Sequence, residues 1–154
     1  QTILLGYVTG GVARAMSVGI IVTILSLFFT DLVIHNMFAV VSITVLTAVL
    51  FSLLGFINGV YAKRFDDVSI VPTFVLTPLT YLGGVFFSID LLPDFWAGVA
   101  QLNPILYVVN AFRFGILGVS DISLGSAYGI LISMTIVAYV IAVRLLANGA
   151  GVRS

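Results

Sequence analysis

Four runs of twenty or more residues, nearly free of charge, leave this chain no fold that water would accept. They cover residues 10–30, 37–61, 68–87 and 122–144. About 20 helical residues cross a ~30 Å hydrocarbon core, so each run predicts a membrane span. Composition closes off a soluble alternative. Charged residues are 8% of the 154 and hydrophobic ones 61%, with a mean hydropathy of +1.27, whereas a soluble domain carries about 25% charged residues. The expected fold is an all-α, polytopic membrane protein whose solvent is lipid.

Net charge is zero, which argues against nucleic acid as a partner. Cysteine and glutamate are absent, and Lys63 and His35 are each the single residue of their kind. Disulfides, thiol catalysis and cysteine metal sites are thereby excluded, and one histidine without partners makes no metal centre. No G-x-x-x-x-G-K-[ST] loop, zinc motif or G-x-S-x-G elbow occurs, so no cofactor is expected on this chain and no enzymatic step. No span holds an acidic residue in its interior, which removes the proton or sodium relay of ion-coupled carriers.

Charge sets direction. Arg14 is placed near one end of the first run, where its side chain snorkels to the interface. Lys63 and Arg64 follow the second run, and Arg144 and Arg153 close the fourth. The opposite side carries Asp31, Asp90, Asp94 and Asp121, with Arg113 its one cation. The positive-inside rule then puts both chain ends and the 63–67 turn in the cytoplasm, which requires an even number of crossings. Residues 88–120 must therefore enter and leave on the outer side. The competing topology makes 104–119 a span, but that run is short, buries Arg113 at a cost of about 2.5–3.5 kcal/mol, and moves Arg144 and Arg153 outside.

That 88–120 segment, SIDLLPDFWAGVAQLNPILYVVNAFRFGILGVS, is too apolar for a water-soluble loop and too broken to cross. Backbone of this kind is tolerated at membrane depth only where protein or a water-filled cavity covers it. Pro93 suits a helix start, with Leu91 or Leu92 at the cap. Phe95, Trp96 and Val99 form the apolar stripe of a short interfacial helix. Asn103-Pro104 ends it, because the residue before proline leaves the α region, and Pro104 restarts a helix running to about Gly118. Trp96, Tyr107, Phe112 and Phe114 are expected interface anchors. The third span holds Pro72, Pro78 and Gly83-Gly84 and is expected to be kinked, its freed carbonyls satisfied by neighbouring helices.

Other features carry bland readings. Glycines pair at i, i+4 as Gly6/Gly10, Gly55/Gly59 and Gly125/Gly129, a spacing that lets helices approach closely, in little excess over chance. Asp66-Asp67 lies in a mixed-charge turn with no histidine nearby to complete a site. His35 belongs to the short 31–36 turn. Arg113 is expected to snorkel outwards or to pair with Asp90, Asp94 or Asp121, with a place at the exit of a translocation path as the rival role.

The run DDVSIVPTFVLTPLTYLGGVFFSIDLLPDFW, followed by LNPILYVVNAFRFGILG, closely resembles the C-terminal part of type-2 ABC transporter permeases, in the group of bacterial exporter permeases. GYVTGGVARAMSVGI and FINGVYAKRFDD fit the same family, so the resemblance covers the whole chain. It implies a permease subunit of the bacterial inner membrane that pairs with a second copy and with cytoplasmic ATP-binding subunits, which would hold Mg–ATP. It also implies a short hairpin on the outer side before the last helix, and two further helices plus a coupling helix ahead of Gln1. Residues 1–154 would then be one permease domain, its C-terminal four-helix portion, with 88–120 an extracytoplasmic gate or lid that includes Pro93, Trp96, Asn103, Pro104, Tyr107 and Arg113. Lys63, Arg64, Phe65, Asp66 and Asp67 become the candidate contact with the ATPase. The implied activity is alternating access for a lipid-like, drug-like or glycan substrate. A non-transporting membrane scaffold, or a degenerate permease fragment, is the alternative.

Overall fold

The computed structural model describes residues 2–31, 33–62, 64–86 and 91–148. Among them every regular element is helical: α1 (Thr2–Leu27), α2 (Met37–Tyr61), α3 (Phe65–Ile70), a π-helical stretch (Val71–Leu76), α4 (Thr77–Leu82), α5 (Asp94–Gln101), α6 (Pro104–Leu117) and α7 (Leu124–Ala147). Three of these, α1, α2 and α7, are long and apolar enough to cross a bilayer. The chain is a polytopic helical membrane protein.

The second run forms a helix over the predicted residues. Asn36 caps α2 by accepting from the Ala39 N–H at 3.0 Å, and extended backbone at Ala62 ends it before the charged turn. The other spans differ from expectation in instructive ways. Helix α1 begins at Thr2, eight residues before the predicted start, because residues 2–9 contain no proline and no charge. Helix α7 is shifted by two to three residues, starting where Ser123 accepts from the Ser126 N–H.

The third span is the least regular. Its helical part covers three consecutive six-residue stretches and ends at Gly83, with Gly84 in a left-handed conformation at φ 74°. At 1.5 Å per residue it reaches about 27 Å, just short of a ~30 Å core. Phe87, the predicted end of this span, lies outside the described residues. Gly83 and Gly84 therefore terminate the helix instead of kinking it. The distortion sits around Pro72, inside the π-helical stretch Val71–Leu76.

Helix α2 is the hub, packed against α1, α6 and α7. Lipid tails are as apolar as leucine, so helices associate by close packing and not by hydrophobic drive. The core matches that requirement: alanines at 111, 127, 138 and 142 bring backbones together around Ile43, Leu50, Leu53 and Leu131. Hydroxyls on exposed helix faces bond their own helices, as when Thr9, Ser17 and Ser26 donate to carbonyls four residues back, so they ask nothing of the lipid. Helix α1 contributes only Leu4 to the buried set.

Close approach falls on glycines other than the predicted pairs. A Cβ on Gly115 would lie 2.7 Å from Val40 Cγ2, one on Gly83 would lie 2.6 Å from Ile105 Cγ2, and one on Gly11 would collide with the Ser52 hydroxyl. Gly6, Gly10, Gly59, Gly125 and Gly129 meet nothing within 4 Å, and Gly55 only the Tyr7 hydroxyl at 3.7 Å.

Candidate functional site

The α5–α6 hairpin is built by two helix starts and one break. Pro93 itself is the N-cap of α5, so the cap lies one or two residues later than Leu91 or Leu92. Phe95 and Trp96 follow, edge to face at 5.4 Å between ring centroids, and both are exposed. Asn103 does more than break the chain. Its Oδ1 accepts from the Ile105 N–H at 3.0 Å, capping α6 with Pro104 in the first turn, and its Nδ2 donates to the Leu79 carbonyl of α4. Only 2% of Asn103 is exposed, so the carboxamide is a buried pin between hairpin and kinked segment.

Tyr107 departs from the predicted role of interface anchor. It is buried, and its hydroxyl donates to the Gln101 carbonyl at 2.7 Å, satisfying the end of α5. Arg113 pairs with Asp121, one of its three predicted partners, at 3.0 Å, and a second guanidinium nitrogen donates to the Gly84 carbonyl at 2.7 Å. The kink residues and the hairpin residues, two separate groups in the sequence, thus meet: Gly83 lies against Ile105, Leu79 takes Asn103, and Gly84 takes Arg113. Pro93 and Trp96 stand apart from this junction.

Asn110 was not expected. It is fully buried, and its Oδ1 accepts from the Asp121 N–H at 2.9 Å and the Ser120 hydroxyl at 3.3 Å while its Nδ2 donates to the Leu106 carbonyl. This side chain ties the segment leading into α7 to α6 beside the Arg113–Asp121 pair. A polar residue in the apolar run ILYVVNAF was the available signal. His35 has a comparable structural place: the His35 and Asn36 N–H groups donate to the Ile116 and Gly115 carbonyls, capping the C-terminal end of α6. Gly118 turns left-handed at φ 75° directly under the His35 ring.

In the third span, Pro72 has no N–H to offer the Val68 carbonyl. The Asn58 carboxamide of α2 donates to that carbonyl at 3.0 Å, and Thr77 bonds the Pro72 carbonyl through both its N–H and its hydroxyl. Asn58→Ala should cost about 1 kcal/mol in the natural background and much less in Pro72→Ala, whose restored N–H serves the same carbonyl. A double-mutant cycle on the thermal-aggregation midpoint of the solubilised protein checks this.

In the charged turn, Arg64 is the N-cap of α3, and its N–H donates to the Asp67 carboxylate at 2.9 Å. Asp66 and Asp67 occupy the first turn, where negative charge complements the helix dipole. Lys63 and the side chain of Phe65 lie outside the described residues.

Arg14 requires a correction. It is the thirteenth residue of the 26-residue α1, not a residue near the helix end. Tyr7 packs on Phe56 and Gly11 on Ser52, and the same antiparallel register places Arg14 level with Val49, the middle of α2. On the insertion scale an arginine at the centre of a span costs about 2.5–3.5 kcal/mol. Among the described residues no carboxylate pairs with it.

Residues 1–117 match the family described as ABC-2 type transporter. Across all 154 residues the chain is 55% identical to proteins named inner membrane transport permease YadH in Escherichia coli strain K12 and in Shigella flexneri. It spans 60% of the length of these relatives. Nodulation protein J of Rhizobium leguminosarum bv. viciae is 26% identical over 101 residues, which is 66% of this chain and 39% of that protein. No solved structure matches the chain.

Proposed function

Because the chain belongs to the ABC-2 type transporter family, we propose that it forms the membrane-spanning permease part of an ATP-driven exporter in the bacterial inner membrane. The observation that carries this is the 55% identity, over all 154 residues of the chain, to a named inner membrane transport permease. Mg–ATP is held and hydrolysed by a separate ATP-binding subunit. Two permease copies rock between inward- and outward-open states, and the cargo is a lipid-like, drug-like or glycan molecule. The full-length protein should co-purify with an ATP-binding subunit after mild solubilisation; isolation of the permease alone, from cells that express both, counts against the proposal.

Both ends of the chain and the turn that includes Arg64 face the cytoplasm in this reading, and the α5–α6 hairpin faces outward. The loop cations support that orientation. Arg64 precedes α3 and Arg144 lies in the last turn of α7, whereas Asp94 and Asp121 lie on the hairpin side. Arg14, at mid-helix, no longer counts toward it. The chain has no cysteine, so single cysteines at Asp94 and at Asp66 should react with impermeant maleimide from opposite sides of the membrane. Labelling of both from one side would refute the orientation.

The charged turn is then the part of this chain that meets the ATPase. Reversing Lys63, Arg64 and Asp66 together leaves the Arg64 N–H to Asp67 cap in place, since that bond uses Arg64's backbone. The triple variant should lose coupled ATPase activity several-fold with only a small drop in thermal midpoint, from the lost Asp66 charge at the start of α3; full coupling would remove the turn from the interface.

A further inference from the structure

Beside Arg14 lies an open groove of about 780 Å³, lined by α1, the start of α2 and Phe112 of α6. That volume falls in the range of small-molecule sites, roughly 300–1,000 Å³. Its walls include Gly19, Ile24, Ile34 and Val41. Two threonines also line it, but Thr23 donates to the Gly19 carbonyl at 2.8 Å and Thr44 to the Val40 carbonyl at 2.7 Å. Arg14 is therefore the one polar side chain in the lining that has donors to offer a ligand.

From Arg14 to Ile24 the groove follows ten residues of α1, about 15 Å at 1.5 Å per residue. One leaflet's share of a ~30 Å hydrocarbon core has the same depth. A strip of apolar wall as long as an acyl chain, ending on an exposed guanidinium, is complementary to a molecule with one tail and one negative head. A resident membrane lipid does not meet this description, because its head stays at the interface while Arg14 lies level with the centre of α2. A charged residue inside a span calls for a partner, and no carboxylate among the described residues supplies one.

We infer that Arg14 and this groove bind an anionic amphiphile, its phosphate or carboxylate head on the Arg14 guanidinium and its chain running along α1 toward Phe112. Resting on the exporter reading above, the bound molecule is cargo in transit. Charge recognition comes from Arg14 and chain recognition from the apolar wall, so head and tail are both required.

The test uses the full-length permease with its ATP-binding subunit in nanodiscs of neutral phosphatidylcholine. The probe is dodecyl phosphate carrying a diazirine at its terminal carbon, with cross-links mapped by mass spectrometry. Cross-links should concentrate at Ile24, Ile34 and Phe112 and be competed by dodecyl phosphate, but not by dodecyl maltoside or inorganic phosphate. Arg14→Gln should reduce capture at least about tenfold, the loss expected for one charge-assisted hydrogen bond, and Arg14→Lys should retain most of it. Arg14→Gln removes a charge from an apolar helix, so its insertion should not suffer; matched expression and thermal midpoint confirm that. Three results would overturn the site: equal capture by Arg14→Gln, equal competition by dodecyl maltoside, or cross-links spread evenly onto the exposed α7 residues Ile136 and Val137. No competable capture by the unsubstituted permease, with ATPase coupling intact, overturns the site and leaves the exporter reading standing. Specific capture without any coupled ATPase overturns the exporter reading and the assignment of the amphiphile as cargo.

Discussion

Replacing Gly115 with leucine should unseat α6 from α2 and lower stability by about 3 kcal/mol, the upper part of the usual overpacking range. The new Cβ would stand 2.7 Å from Val40 Cγ2 and 3.1 Å from the Val40 backbone nitrogen. A side chain can rotate away, but the first turn of α2 cannot. Displacing α6 also strains the Asn36 N–H to Gly115 and His35 N–H to Ile116 bonds, at 2.8 and 3.1 Å, which close its C-terminal end. Gly129→Leu is the matched control, since a Cβ there meets nothing within 4 Å, and should change stability by less than about 0.5 kcal/mol. Thermal-aggregation midpoints of the solubilised variants separate the two; similar midpoints would mean that the α2–α6 seam is looser than described.

Asn110→Leu should also destabilise the protein, by about 1–2 kcal/mol. Leucine fills a similar space but takes the acceptor at 2.9 Å from the half-buried Asp121 N–H, a loss toward the low end of the about 1–3 kcal/mol of an orphaned donor. Ser120 loses a partner as well, although its hydroxyl keeps the Ile122 carbonyl at 2.7 Å. The connection between α6 and α7 then hangs on the Arg113–Asp121 pair, which is partly exposed and weaker. Limited proteolysis should cut residues 118–123 faster in Asn110→Leu than in Arg113→Ala. The two substitutions share Asp121, so their effects should not add. Additive losses would show that Asn110 and Arg113 hold the segment independently.

Elements whose borders are set by local chemistry were legible in the sequence. Asn36 ahead of a long apolar run and Lys63-Arg64 behind it mark α2, and Asn103-Pro104 with Gly118 marks α6. These signals act within a turn or two of the backbone. The start of α1 was hidden because nothing in residues 2–9 stops a helix, and moving it turned Arg14 from an end residue into a central one. The π turn was legible only as a kink, since proline reveals which carbonyl is freed but not that Asn58 will serve it. Partnerships across elements left no local trace. Gly11, Gly83 and Gly115 make close approaches while the i, i+4 glycine pairs do not, because contact depends on which face another helix covers. For the same reason the sequence shows Tyr107 only as an aromatic suited to an interface and names no partner for Asn110.

ATP hydrolysis by the partner subunit, reconstituted in nanodiscs with and without the full-length permease, tests most directly the claim that this fold is the membrane part of an ATP-driven exporter. The account predicts that the permease changes the hydrolysis rate several-fold and that reversing Lys63, Arg64 and Asp66 removes the change. An identical rate with and without the permease, in a complex shown to be assembled, would contradict it.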